Sequence, residues 1–196
     1  MVPGSLAIIG SAGRREPIER SHWRMMLGCA RELAGELGVT RLVSGGAAGA
    51  DHVAVRLFLD GLLPLTLELG ADWDFEALSY VESGSGNWMT DPGRTLNRHH
   101  RAFQESAGVE SFEDLQLALR ACEWRAHRSG LWGRNTVVAN ADVLLAMTFG
   151  AGRQMAQGGT ADTCRKYRRR GGESIYHLDL HTGRLFPDAV VPAVPR

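Results

Sequence analysis

Three stretches of this chain bring together glycine, small hydroxyl residues and charge in the way anion-binding loops do: "GSAGR" at 10–14, "SGGAAGAD" at 44–51 and "GGTADT" at 158–163. In each, an apolar run stops, bulky side chains disappear and a helical pattern follows. Bare amides at a helix N-terminus favour negative charge, because they lack acceptors and the helix dipole adds to them. Candidate contacts to a phosphate-bearing ligand are therefore Gly10, Ser11 and Arg14, then Ser44, Gly45, Gly46, Gly49 and Asp51, then Gly158, Gly159 and Thr160. Each loop also has a plain alternative. Glycine at a strand–helix junction allows close packing, and Asp51 in a first helical turn is favoured by the dipole alone. Gly45 and Gly46 are the expected ligand contacts, with Gly49 open to a packing role.

The elements that would position these loops follow from apolar patterning. "SLAIIG", "RLVSGG", "LPLTLEL", "DVLLAMTFG" and "SIYHLDL" read as short buried strands. Residues 18–37 put Ile18, Met25, Met26, Cys29, Ala30, Leu33 and Leu37 on one helical face, closed by Gly38. Helices are also expected in 53–62, in "LNRHHRAFQ", in 112–128, in "WGRNTVVANA" and in "TADTCRKYRRRGG". Strand and helix alternate, which predicts an α/β fold: a Rossmann-like, open, mainly parallel five-stranded sheet with helices on both faces. The whole of 1–196 forms one domain in this reading. Residues 70–130 are a lid and helical insertion, and 181–196 a short C-terminal extension with a hairpin strand. In such sheets ligands bind beyond the strand C-termini, where the strand order reverses.

Bulk properties narrow the function classes. The 22 basic residues balance 22 acidic ones, so net charge offers no global attraction to nucleic acid or to an anionic membrane. That neutrality, with aromatics concentrated in one loop, counts against nucleic acid as a partner. "MVPGSLAIIG" lacks the basic flank and long apolar stretch of a signal peptide, and no run approaches a membrane span. Cys29, Cys122 and Cys164 have no metal or disulfide spacing, so a cytoplasmic, reduced protein is expected. His99 and His100 are adjacent and cannot both face one metal from a helix, and neither metal nor cofactor is expected. Arg165 to Arg170 read as a solvated helix end. Trp23, Trp124 and Trp132 read as core or subunit-interface residues, and a homo-oligomer is expected.

"IIGS", "LVSGGAAGAD", "GRNTVVANADVLLAM" and "GGTADTCRKY" resemble, in order and spacing, the SLOG superfamily, which holds the DNA-processing protein DprA (Smf) and the LOG phosphoribohydrolases. The pattern is most similar to its small stand-alone branch represented by YpsA. It covers roughly residues 6–180, with 70–130 unmatched. The resemblance implies that Gly45, Gly46 and Gly49 face a nucleotide phosphate or sugar, that Gly158, Gly159 and Thr160 hold a phosphate, and that Arg134 and Asn135 line the same crevice. LOG enzymes cut an N-glycosidic bond using an arginine and a glutamate after the glycine loop. Here Thr163 stands at the glutamate's position and Asp162 precedes it.

Such a cleavage builds oxocarbenium character and needs a carboxylate to orient water near the anomeric carbon. Glu68, Asp72 and Asp162 are the candidate catalytic groups, with Asp51 on the same rim. Trp73, Tyr80 and Trp88 could stack on a base. The expected function is binding of a nucleotide or nucleotide sugar (a nucleoside monophosphate or ADP-ribose-like molecule), with hydrolysis or transfer at its N-glycosidic bond. Non-catalytic nucleotide sensing is the alternative, and a DprA-like binder of single-stranded nucleic acid a third.

Overall fold

The computed structural model describes residues 4–87 and 89–192. Five strands form where expected: β1 (Ser5–Gly10), β2 (Arg41–Ser44), β3 (Leu65–Leu69), β7 (Val143–Thr148) and β8 (Ile175–Asp179). Their side chains alternate between two cores. Leu6 and Ile8 join one cluster with Met26, Val53 and Leu115, while Ala7 and Ile9 join another with Val138, Ala161 and Tyr167. Both faces are covered, which is why these strands read as continuous apolar runs. The first face carries α1 (Arg20–Leu37) and α2 (Ala50–Leu59), and the second carries α5 (Gly130–Val138) and α6 (Gly159–Arg169). Gly38 closes α1 in the left-handed region, φ 63°, as its position predicts.

Among the described residues the sheet has seven strands where five were expected: with β6 (Glu123–Ala126) and β9 (Arg184–Phe186) added, the order is β6-β3-β2-β1-β7-β8-β9. β9 is the anticipated C-terminal hairpin, antiparallel to β8. β6 is a correction, since helical spacing carried a helix through 128. The helix α4 (Ser111–Ala121) stops at Cys122, whose backbone is extended (φ −117°, ψ 169°), and the chain then pairs parallel with β3. The free edge of β3 decides this, and local periodicity carries no information about it.

The insertion has secondary structure of its own. It contributes a hairpin of β4 (Trp73–Asp74) and β5 (Ser79–Tyr80), then α3 (Pro92–Ala107) and α4. Asp91 caps α3 by accepting from the Arg94 amide, with Pro92 in the first turn. Trp73 and Tyr80 are 6% and 1% exposed and pack edge to face at 5.1 Å. They are core residues, which corrects their expected role in stacking on a base; Trp88 lies outside the described residues. No helix among the described residues is long and apolar enough to cross a membrane.

Chain order reverses between β1 and β7. From β1 the chain crosses over through α1 to β2 on one side, while β7 occupies the other. A crevice at the C-terminal ends of this pair is the expected ligand position in a doubly wound sheet.

Candidate functional site

A cleft of about 310 Å³ opens at that reversal. Its walls are the chain after β1 (Gly10, Ser11, Arg14), Asp51 of α2, Thr95 and His99 of α3, Arg134 and Asn135 of α5, and Gly158, Gly159, Thr160 and Thr163 at the start of α6. Five separated stretches of sequence thus converge on one space. The first-turn amides of α6 have no acceptors within their own helix, and the dipole adds to them. The preceding loop is pinned from beneath. Thr148 Oγ1 accepts from the Ala156 amide, and His177 Nδ1 lies 2.6 Å from the Gly152 carbonyl. A carbonyl only accepts, so Nδ1 carries the proton and Nε2 accepts from the Thr148 hydroxyl at 2.8 Å.

The "SGGAAGAD" loop takes a different position from the one expected. Ser44, Gly45, Gly46 and Gly49 do not line the cleft. Ser44 Oγ donates to the Asp51 carbonyl at 2.7 Å and accepts from the Gly46 amide, closing the turn. The Gly46 carbonyl accepts from Tyr80 Oη at 2.6 Å and from His100 Nε2 at 3.1 Å. A Cβ on Gly46 would fall 2.5 Å from Leu69 Cδ2, and one on Gly49 2.3 Å from the Ser11 carbonyl. A Cβ on Gly45 would fall 2.7 Å from Asp51 Oδ2 and 2.8 Å from Arg134 Nε. These glycines therefore make room for the protein's own Asp51, Arg134 and Tyr80.

That room lets one carboxylate and one guanidinium sit together at the cleft. Asp51 is 5% exposed and accepts from the Gly10 amide at 3.2 Å. Its pKa is raised by burial, although Arg134 and the amides of Gly10, Ala47 and Gly45 pull it down. Arg134 Nη1 stands 4.0 Å from Asp51 Oδ2, and its Nε and Nη2 both donate to Asn135 Oδ1.

The three carboxylates expected to be catalytic lie elsewhere. Glu68 is 2% exposed and holds Arg125 in a two-pronged pair (2.6 and 2.8 Å) and His127 Nε2 at 2.6 Å, clipping β3 to β6. Asp72 is exposed on the turn between β3 and β4. Asp162 points down its own helix to Lys166 Nζ at 2.9 Å, and that ammonium also rests 3.5 Å above the Trp132 ring. Lys166 is buried by these contacts, which corrects the solvated reading of the run it belongs to. Glu68→Gln is expected to lower stability by about 1–2 kcal/mol in urea unfolding, through loss of charge-assisted bonds, and to leave affinity for any cleft ligand unchanged.

The mouth of the cleft is cationic. Arg14 lies close enough to Arg134 and Arg98 that their repulsion adds to burial in lowering its pKa. Burial, Arg14 and Arg98 push His99 down to about 4, and burial above all pushes His100 down to about 3. Sequence reasoning passed over Thr95 and weighed His99 only as a metal ligand; the signal was their i, i+4 spacing on α3, which puts both on one face. Both histidines hold protons less readily folded than unfolded, where the ordinary value is 6.5. Their contribution is therefore complete above that value and drains as the pH falls. Each is expected to cost about 2 kcal/mol by about pH 5. Asp51, shifted upward, works in the opposite direction. Urea unfolding at neutral and mildly acid pH checks this, with His99→Gln reducing the difference.

No family model matches the chain. It is 33% identical over 137 residues to the "Uncharacterized protein R261" of Acanthamoeba polyphaga mimivirus, an alignment covering 68% of this chain and 69% of that protein. Among solved structures it is similar to DNA processing protein A from Helicobacter pylori, whose single-stranded DNA binding mode that structure describes. The match has a TM-score of 0.47 and 19% identity, over 90% of this chain and 65% of that one. The chain thus spans about two thirds of the length of that neighbour, and at this level of likeness no site or activity transfers. The expectation that nucleic acid is an unlikely partner is corrected: the neighbour just described binds single-stranded DNA, which is a property of that protein, and the charge argument behind the expectation fails on this chain's own residues. The physical flaw was averaging. A net charge of zero over 196 residues coexists with Arg14, Arg15 and Arg134 lining one cleft.

Proposed function

We propose that this chain, which belongs to the same family as the mimivirus protein, binds the phosphate-bearing part of a nucleotide in the cleft between β1 and β7. The ligand is a free nucleotide or nucleotide sugar, or a nucleotide at the end of a single nucleic-acid strand. One observation carries this reading: the start of α6 and the arginines Arg14 and Arg134 meet at the point where strand order reverses. Arg14 has no carboxylate within ion-pair distance among the described residues, so its charge is available to an anion. The ordered SLOG-like motifs, and their likeness to the small stand-alone branch, support the same reading.

Binding without cleavage is the second reading, and a specific observation favours it. Glu68, Asp72 and Asp162 all lie outside the cleft, which leaves Asp51 and, half-exposed, Glu16 as the carboxylates at hand for N-glycosidic chemistry. Asp51 is already occupied by backbone amides and Arg134. Calorimetric titration with AMP, ADP-ribose and a 5′-phosphorylated oligothymidine, with chromatography for released base, separates these cases. At least one ligand is expected to bind, and Arg14→Ala to weaken it about tenfold or more. Failure of every ligand to bind, or indifference to Arg14→Ala, contradicts the proposal. Released base that Asp51→Asn abolishes selects the hydrolytic reading.

A further inference from the structure

We propose that the outer edge of β6 pairs antiparallel with β6 of a second copy of this chain, about a two-fold axis at Trp124. The two seven-stranded sheets then join into one. The proposal stands apart from the nucleotide reading and does not rest on it.

The backbone leaves this edge open. β6 ends the strand order and pairs on one side with β3, residue for residue from Glu123 to Ala126. The His127 amide donates to the Leu69 carbonyl. Peptide groups alternate in direction along a strand, so the amides of Arg125 and Glu123 also turn toward β3, and those of Trp124 and Ala126 turn away. Among the described residues no hydrogen bond meets these outward amides. Unmet donors and acceptors on an outermost strand are a template for another strand, and neither a proline nor a bulge interrupts this one.

Side chains choose the occupant. Trp124 and Phe75 are 37% and 36% exposed, with ring centroids 6.2 Å apart. Arg120 lays its guanidinium 5.6 Å from the centre of the Phe75 ring, and Leu117, one turn earlier on α4, is exposed as well. This apolar patch lies on the face of the sheet that holds Leu67, the neighbour of Trp124 on β3. Glu123 and Arg125 take the other face. Glu123 is exposed and has no ion pair among the described residues. Arg125 gives Nε and Nη2 to Glu68, which leaves Nη1 for a further acceptor.

A two-fold axis at Trp124 makes that residue a hydrogen-bonded pair with its own copy, each amide donating to the other's carbonyl. Glu123 then stands opposite the partner subunit's Arg125, twice, and the two Trp124 side chains meet on the apolar face. Other registers fail on charge. Centring on Arg125 sets guanidinium beside guanidinium, and centring on Glu123 sets carboxylate beside carboxylate. Centring on Ala126 sets Arg125 against the partner subunit's His127 and leaves Glu123 without a cation. Like charges directly opposite one another on paired strands are destabilising. Self-matching charge about one axis is what a contact between identical strands requires, so the occupant is a second copy. β3 and β2 stand between β6 and β1, so the contact leaves each cleft open. Because the joined strands run in opposite directions, the two clefts open on opposite edges of the joined sheet.

Analytical ultracentrifugation of the intact chain over a range of concentrations tests the pairing, with amide hydrogen exchange to locate it. A monomer–dimer equilibrium is expected, and the amides of Trp124 and Ala126 should exchange more slowly as the dimer fills. Glu123→Lys, at an exposed site, should raise the dimer dissociation constant about tenfold or more, by setting like charges opposite one another. Its circular dichroism should match that of the wild type, which separates lost pairing from lost folding. A chain that stays monomeric at every concentration overturns the proposal and leaves the edge to a strand of another protein. A dimer that Glu123→Lys does not weaken, or in which the Trp124 amide exchanges as freely as in the monomer, also overturns it by placing the contact elsewhere.

Discussion

Gly46→Val is expected to strip away a large part of the protein's stability rather than merely to block a ligand. Position 46 has φ +66°, a conformation that a β-branched side chain adopts only under strain. Its Cβ would fall 2.5 Å from Leu69 Cδ2 and 2.9 Å from Tyr80 Oη, two residues with almost no exposed surface. Relief would require the turn to move, breaking the bonds from Tyr80 and His100 to the Gly46 carbonyl. Backbone strain, overpacking and two stranded polar groups together come to about 4 kcal/mol or more. That is a large share of the whole stability of an ordinary domain, about 5–15 kcal/mol. Gly45→Ala supplies the contrast. The atoms it meets are the Asp51 carboxylate and the Arg134 side chain, which can shift. It should cost less stability and act instead on the cleft. Thermal unfolding of both variants decides. A folded, stable Gly46→Val protein would mean that the turn faces open space.

Arg134→Ala carries the largest expected effect on binding, about a hundredfold loss of nucleotide affinity, or about 3 kcal/mol. Its guanidinium lies on the cleft wall, oriented by Asn135 Oδ1 and the Gly45 carbonyl. Lysine would keep the charge without the planar fork, so Arg134→Lys should recover only part of the loss. The same substitution removes the cation that holds the Asp51 pKa down. The folded pKa of Asp51 would then rise further above its unfolded value. A carboxyl raised in this way is favourable while protonated and loses that advantage as pH rises through its folded pKa. Arg134→Ala should therefore lose more stability at neutral than at mildly acid pH. Calorimetric titration and unfolding at two pH values measure the two effects separately.

The parts of the fold legible in sequence were those fixed by local pattern. β1, β2, β3, β7 and β8 are apolar runs bounded by glycine or polar residues, and α1 ends at a glycine that only its left-handed backbone explains. β6 was not legible, because "EWRA" continues a helical spacing and becomes a strand only beside β3. The same division runs through the site. Gly10, Ser11, Arg14, Arg134, Asn135 and the loop at 158–160 border one cleft, since glycine and charge at strand ends carry a local signature. Composition could not separate glycines that face a ligand from those that make room for Asp51 and Tyr80. Nor could it show that Glu68, at the end of β3, turns toward Arg125 and His127. Which face of a strand end meets which neighbour is set by strand order, and a single sequence does not display strand order.

Binding of a nucleotide as proposed requires its phosphate to enter between β1 and β7, against the start of α6. Backbone amide shifts recorded during titration with AMP and with a 5′-phosphorylated oligothymidine test it most directly. The largest changes are expected at Gly10, Ser11, Gly159 and Thr160, with Gly46 little affected. Changes centred on Gly45 and Gly46, or on Arg125 and His127 beside Glu68, would contradict it.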